Sequence, residues 1–203
     1  FDGDLCYDSV IRQITIHGTP VAAFTVDESC VGEVTAFHDN SVSPSAMLDH
    51  WHWDFGDGNS LNYTVFTDPV QHLYSLPGQY TVVLTVTDTN GCSRSFNRSV
   101  SVFPLPSAMF QSNPACSGQI TYFTDYSNGS GSPLVAWHWD FGDFTTPSTL
   151  QNPSHVYGAP GLYLVTLCVT NSNGCVNCYT QDLSVFPSPV ADFSADTVCE
   201  GSP

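Results

Sequence analysis

The sequence predicts an all-β fold, written as two-layer β-sandwiches in tandem. Three observations lead there. A seven-residue segment occurs twice, the side-chain period is two rather than 3.6, and six of the eight cysteines follow the spacing of the repeat. A chain of 203 residues has room for one large or two small domains.

The duplication sets the boundaries. Trp51-His52-Trp53-Asp54-Phe55-Gly56-Asp57 recurs as Trp137-His138-Trp139-Asp140-Phe141-Gly142-Asp143, an offset of 86 that Cys30/Cys116 and Asp39-x-Ser41/Asp125-x-Ser127 share. His72-Leu73-Tyr74 recurs as His155-Val156-Tyr157 at an offset of 83, as do Gly78-x-Tyr80/Gly161-x-Tyr163 and Asn90-Gly91-Cys92/Asn173-Gly174-Cys175. The second copy has therefore lost three residues between its tryptophan segment and its histidine, where an exposed loop tolerates deletion. Cys6, Cys92 and Cys175 each lie 14 residues before a proline (Pro20, Pro106, Pro189), and each proline lies 10 residues before Cys30, Cys116 or Cys199. This spacing assigns 1–19 to the last strands of an upstream unit, 20–105 and 106–188 to two complete units, and 189–203 to the first strand of a downstream one. Neither end carries the tryptophan segment, so the ends do not complete each other, and the chain reads as a window on a longer array.

Within a repeat, Trp51, Trp53 and Phe55 fall on one strand face with His52 and Asp54 opposite. Tyr80, Val82, Leu84 and Val86 share a face of a second strand, repeated as Tyr163, Val165, Leu167 and Val169. Asn90-Gly91 and Asn173-Gly174 mark the hairpins that follow. No stretch shows a helical stripe with caps. Short strands, turn signals, a buried tryptophan strand and about 85 residues per unit describe an immunoglobulin-like β-sandwich.

Composition narrows the function. Three basic and 19 acidic residues give a net charge of −16, which repels nucleic-acid backbones and anionic membranes. No apolar run is long enough to span a bilayer, and no signal peptide stands at Phe1, so a mature product or an internal fragment is expected. Eight cysteines point to an oxidising, extracellular compartment. Cys175 and Cys178 form a C-x-x-C without a thioredoxin-like context. Neither G-x-S-x-G nor H-E-x-x-H occurs, and no catalytic residue is expected.

The run W-x-W-D-F-G-D, then P-x-H-x-Y or close to it, then G-x-Y-x-V-x-L-x-V and N-G-C resembles the signature of PKD domains. The resemblance covers both full repeats and the visible parts of the flanking ones. It implies tandem PKD sandwiches arranged end to end, with a signature core of Trp51, Trp53, Phe55 and Tyr80, repeated as Trp137, Trp139, Phe141 and Tyr163. It also gives His72 and His155 a packing or hydrogen-bonding role. Two departures concern loops. The glycine after the second aspartate is Gly58 in one copy and Phe144 in the other, and Asp68-Pro69-Val70-Gln71-His72 is one residue longer than Asn152-Pro153-Ser154-His155. Such arrays resemble the large surface proteins of gliding bacteria that leave by the type IX route and act in adhesion. The resemblance thus implies a stalk or surface filament, partnered by neighbouring repeats, other copies, or surface glycans and proteins. The alternatives are an accessory spacer or polysaccharide-binding region of a secreted hydrolase, which exposed aromatic rows would favour, and a receptor ectodomain.

Further residues carry expectations. Cys30 follows the first strand and Cys92 lies between the last two. With strands running alternately up and down, both turns fall at one end, predicting Cys30–Cys92 and Cys116–Cys175 bridges. Cys168 and Cys178 flank the Asn173-Gly174 turn and predict a cross-strand bridge, leaving Cys6 and Cys199 to pair outside the fragment. Asp54, Asp57, Asp140 and Asp143 sit at a strand end where carboxylates brace turns, and the functional alternative is calcium. His50 and His52 share a strand face that would suit zinc, but Ala136 replaces His50 in the second copy. Asp8-Ser9-Val10 and Asp196-Thr197-Val198 match the O-glycan acceptor of exported proteins in gliding bacteria, at Ser9 and Thr197. The Pro-x-Pro joints at Pro104-Leu105-Pro106 and Pro187-Ser188-Pro189 are extended and stiff, so the sequence predicts a rod.

Overall fold

The structure is a computed structural model that describes residues 8–194; Cys6, Thr197 and Cys199 lie outside them. The chain divides into two compact units between Val102 and Phe103. The first contains β1 (Phe24–Asp27), β2 (Ser29–Cys30), β3 (Val34–Asp39), β4 (Leu48–Asp54), β5 (Ser60–Tyr63), β6 (Val70–Leu73), β7 (Gly78–Asp88) and β8 (Ser93–Phe103). A three-stranded sheet, β1-β3-β6, faces a five-stranded sheet, β2-β8-β7-β4-β5. The second unit contains β9 (Phe110–Ser112), β10 (Ala115–Cys116), β11 (Ile120–Asp125), β12 (Leu134–Asp140), β13 (Ser154–Val156), β14 (Gly161–Asn171) and β15 (Val176–Phe186). Its sheets are β9-β11-β13 and β10-β15-β14-β12. No helix occurs among the described residues.

The period-two pattern explains these strands. In β7 the buried residues are Val82, Leu84, Val86 and Asp88, alternating with partly exposed ones. β4 meets β7 with Trp51 opposite Val86 and Trp53 opposite Leu84, so one apolar face is shared. Trp53 and Trp139 are 1% and 0% exposed. Their surroundings match: the centroid distances are 5.1 Å to Phe24 and Phe110, and 5.6 and 5.5 Å to Phe37 and Phe123. Truncating either indole would cost about 3–5 kcal/mol. Tyr80, Trp137 and Tyr163 are half-buried and pack against the rim of the cores.

The three-residue deletion has a structural counterpart. β5 pairs with β4 over four residues in the first unit, from Trp51↔Tyr63 to Asp54↔Ser60. In the second unit that edge is reduced to a single bridge, Trp139↔Ser148.

The expected Cys30–Cys92 and Cys116–Cys175 bridges are corrected by the structure. Cys92 and Cys116 are free thiols, whereas Cys30 and Cys175 are disulfide-bonded. The reason is strand direction. β10 runs parallel to β15, which sets Cys116 beside Phe186 at the far end of that strand. Cys175 immediately precedes Val176 at its near end. Eleven extended residues separate those ends by roughly 35 Å, against less than about 7 Å between bridged Cα atoms. The Cys168–Cys178 bridge is present, joining directly opposed residues of β14 and β15.

Candidate functional site

The duplicated charges of the repeat gather where β4 ends, and Gly56 makes the arrangement fit. Its φ is +77°, and a Cβ there would stand 2.6 Å from the Thr81 carbonyl oxygen. Glycine is the residue that allows both the left-handed turn and the close approach to β7. Gly142 repeats this, with φ +75° and 2.5 Å to the Leu164 carbonyl oxygen.

Around this turn the side chains form a bracket. Asp54 Oδ1 accepts from the Gly56 N–H at 2.9 Å, and Asp57 Oδ1 accepts from the Asn59 N–H at 3.0 Å. Asp57 Oδ2 accepts from His72 Nε2 at 2.8 Å and from Asn59 Nδ2 at 3.0 Å. The His72 ring lies flat on Phe55, with centroids 4.0 Å apart and planes at 3°, and meets Tyr74 edge-on at 4.6 Å. Tyr74 donates to the Phe55 carbonyl at 3.0 Å, and Tyr80 to the Leu76 carbonyl at 2.7 Å. β6 and β7 are thereby tied to the end of β4. The second unit reproduces the bracket: His155 to Asp143 at 2.7 Å, His155 on Phe141 at 4.2 Å, and Tyr157 to the Phe141 carbonyl at 3.1 Å.

The electrostatics fit a structural bracket. Burial alone would raise the Asp57 pKa, but the hydrogen bonds from His72 and Asn59 outweigh it and hold the carboxyl below the usual carboxylate range. Asp143 is held low in the same way, with Thr145 and His155 overcoming burial. Burial first, then the Asp57 charge, pushes the Tyr74 phenol well above its ordinary range, so it stays a donor; Tyr157 behaves alike beside Asp143. The carboxylates proposed from sequence for calcium thus already accept hydrogen bonds from the protein. Among the described residues, no three His, Cys, Asp or Glu side chains converge as a ligand set. His50 and His52 take separate partners, Asp49 at 3.0 Å and Asn62 at 2.8 Å. Ser9 is exposed in an irregular segment.

Two further polar anchors were not singled out from the sequence. Trp51 Nε1 donates to Asp39 Oδ2 at 2.7 Å while Asp39 Oδ1 accepts from the Ser41 N–H; Trp137, Asp125 and Ser127 do the same. The duplicated Asp-x-Ser was the available signal. Buried Asp88 Oδ1 accepts from the Asn90 and Cys92 N–H groups at 3.0 Å each, and Asn171 takes the equivalent place with Asn173 and Cys175. No repeated residue type marks that position.

Comparison with known proteins follows the same repeat. A model described as the PKD domain matches residues 17–104 and again residues 101–186. The chain is similar to Collagenase ColA of Bacillus cereus, 41% identical over 56 residues, which is 28% of this chain and 6% of that protein. It is also similar to the microbial collagenase of Vibrio alginolyticus, 34% identical over 96 residues, 46% of this chain and 11% of that protein. The chain therefore spans only a small fraction of the curated relatives it matches. Among solved structures, the PKD1 domain of Vibrio anguillarum Epp is 30% identical, covering 41% of this chain and 96% of that domain, with a TM-score of 0.39. The PKD1 domain of the Vibrio cholerae metalloprotease PrtV is 30% identical, covering 40% and 98%, with a TM-score of 0.37.

Proposed function

The chain belongs to the PKD domain family, which matches it twice in tandem, and from that premise we propose that it is a structural and adhesive segment of a large extracellular repeat protein, a stalk or surface filament. PKD domains are non-catalytic modules. The observation that carries the reading is that both units devote the matching residues Asp57 and Asp143, His72 and His155, and Phe55 and Phe141 to the same internal bracket. What differs between the copies lies in edges and loops: β5 against a single bridge, and Gly58 against Phe144. A framework written twice builds modules, whereas an active site needs groups that converge in one place. The Cys168–Cys178 bridge fits an oxidising compartment outside the cell. Neighbouring repeats, other copies in a filament and surface glycans or proteins are the partners, and type IX export is the secretion route this reading carries.

A second reading has its own support. The similarity to collagenases favours an accessory segment of a secreted hydrolase. Co-sedimentation separates the two. The stalk reading expects the purified chain to stay in the supernatant with insoluble collagen, chitin or cellulose, and to promote adhesion of coated beads to cells or surfaces. Saturable retention on any of those polymers, without bead adhesion, would overturn it in favour of the accessory role.

A further inference from the structure

Residues 8–20 carry no strand pairing, yet their sequence is that of a last strand. Counted from the shared cysteine position, Val10, Arg12, Ile14 and Ile16 fall where β8 has Phe96, Arg98, Val100 and Val102, and where β15 has Tyr179, Gln181, Leu183 and Val185. In the complete sandwiches these positions close the core: Val100 is 0%, Val102 3% and Val185 4% exposed. Ile14 is 83% and Ile16 91% exposed, with Val10 at 77%. Ile16 has two buried equivalents, Val102 and Val185, and Ile14 has buried Val100 and half-buried Leu183, so this run of bare alternating aliphatic side chains lacks its partner surface. The other flank shows the same imbalance: Phe193 is 87% exposed, whereas its equivalents Phe24 and Phe110 are 3% exposed.

We infer that Val10–Ile16 is the closing strand of a third sandwich and docks antiparallel on the β7-type strand of a further repeat of this kind. The register follows from β8, which sets Phe96 opposite Leu84, Arg98 opposite Val82, Val100 opposite Tyr80 and Val102 opposite Gly78. Val10, Arg12, Ile14 and Ile16 therefore face the equivalents of Leu84, Val82, Tyr80 and Gly78. Ile14 and Ile16 enter the core, and Ser9 faces the equivalent of Thr85. That last position has two precedents: Thr85 bonds Ser95 at 2.8 Å, and the Cys168–Cys178 bridge occupies it in the second unit. The occupant is another repeat rather than an unrelated protein, because the segment keeps the repeat's own spacing to the proline and first strand that follow. The inference concerns the partner of one strand and stands whether the array serves as a stalk or as an accessory segment.

The test fuses a copy of residues 21–91 directly ahead of Cys6 in the full chain, so that Cys6 follows the copied Gly91 as Cys92 does. Hydrogen exchange should slow at Val10–Ile16 by at least about 100-fold relative to the unfused chain, the order expected for strand amides in a folded core. Ile14→Asp should abolish that protection. Ser9→Cys with Thr85→Cys in the copy should form a disulfide, whereas Asp8→Cys with the same partner should not. A control fusion carries Cys92–Phe103 in place of Cys6–His17 and so restores the complete first unit. Unprotected exchange at Val10–Ile16 beside a protected control strand overturns the docking, and a bridge at Asp8→Cys instead of Ser9→Cys overturns the register.

Discussion

The two units hold different chemistry at one register position, and this allows a stability experiment with an internal reference. Thr85 and Ser95 share a hydrogen bond of 2.8 Å on the outer face of β7 and β8. Cys168 and Cys178 form a disulfide at the corresponding place on β14 and β15, ten residues apart in sequence. Cys168→Thr with Cys178→Ser converts the second unit to the first unit's version. A cross-link closing a loop of that size stabilises by about 2.7 kcal/mol through unfolded-chain entropy. The hydroxyl pair that replaces it returns about 1 kcal/mol. The net loss is about 2 kcal/mol, which for a domain of this size lowers the melting temperature by roughly 8–16 °C. Pulsed hydrogen exchange along a thermal melt reads β7 and β14 separately, so the first unit serves as the standard. A second-unit midpoint that moves by less than about 2 °C would refute the entropic account and show that the bridge adds little beyond a hydroxyl pair.

Four other outcomes follow from the geometry. Under non-reducing, denaturing conditions a thiol reagent should label Cys92 and Cys116 and leave Cys168 and Cys178 unlabelled; protection of Cys92 would contradict the observed thiols. Asp57, Asp125 and Asp143 have carboxyl pKa values held below the usual range, so their contribution is complete above the unfolded value near about 4 and fades as pH falls through the folded values. Urea melts should therefore be flat from neutral pH to about 5 and weaken below about 4, and Asp57→Asn with Asp143→Asn should flatten that acid limb. Thr121 is fully buried with no partner for its hydroxyl, whereas its equivalent Thr35 bonds Ser29 at 2.6 Å. Ala115 stands where Ser29 does, so Ala115→Ser should stabilise the second unit by about 1 kcal/mol, measured by denaturant midpoint at constant slope. Phe144 is held at φ +62° and fully exposed, and Phe144→Gly should stabilise by about 1 kcal/mol; a loss of stability would mean that the ring packs in solution.

The fold was legible because its strongest signals are local and repeated. A period of two places Trp51, Trp53 and Phe55 on one face whatever lies across from them, and the second copy checks each reading. The bracket was half legible: aspartates at the end of β4 and a histidine on β6 could be identified, but not that they meet. That meeting depends on Gly56 bringing the turn against β7, which is a property of the packed sheets. The cysteines of the units' ends were misread for a topological reason. Whether the turn after the first strand shares an end with the last turn depends on whether the number of intervening strands is odd or even. Short elements such as β5 are present in one copy and nearly absent in the other, so counting from sequence is unsafe. The parallel pairing of β10 with β15 settles the matter in the structure. Asp88 and Asn171 escaped notice because unlike residues fill one role, each accepting from the same two N–H groups.

That short parallel pairing also decides how a unit would respond to being pulled by its ends. Tension applied ahead of β9 and beyond β15 draws β10 and β15 in opposite directions along their length, so their bonds are sheared together rather than unzipped one at a time. Yet β10 offers only the pairs Ala115↔Val185 and Cys116↔Phe186 to resist that sliding. The first give in a stretched unit would therefore occur at this seam, with the tryptophan-centred core still closed behind it.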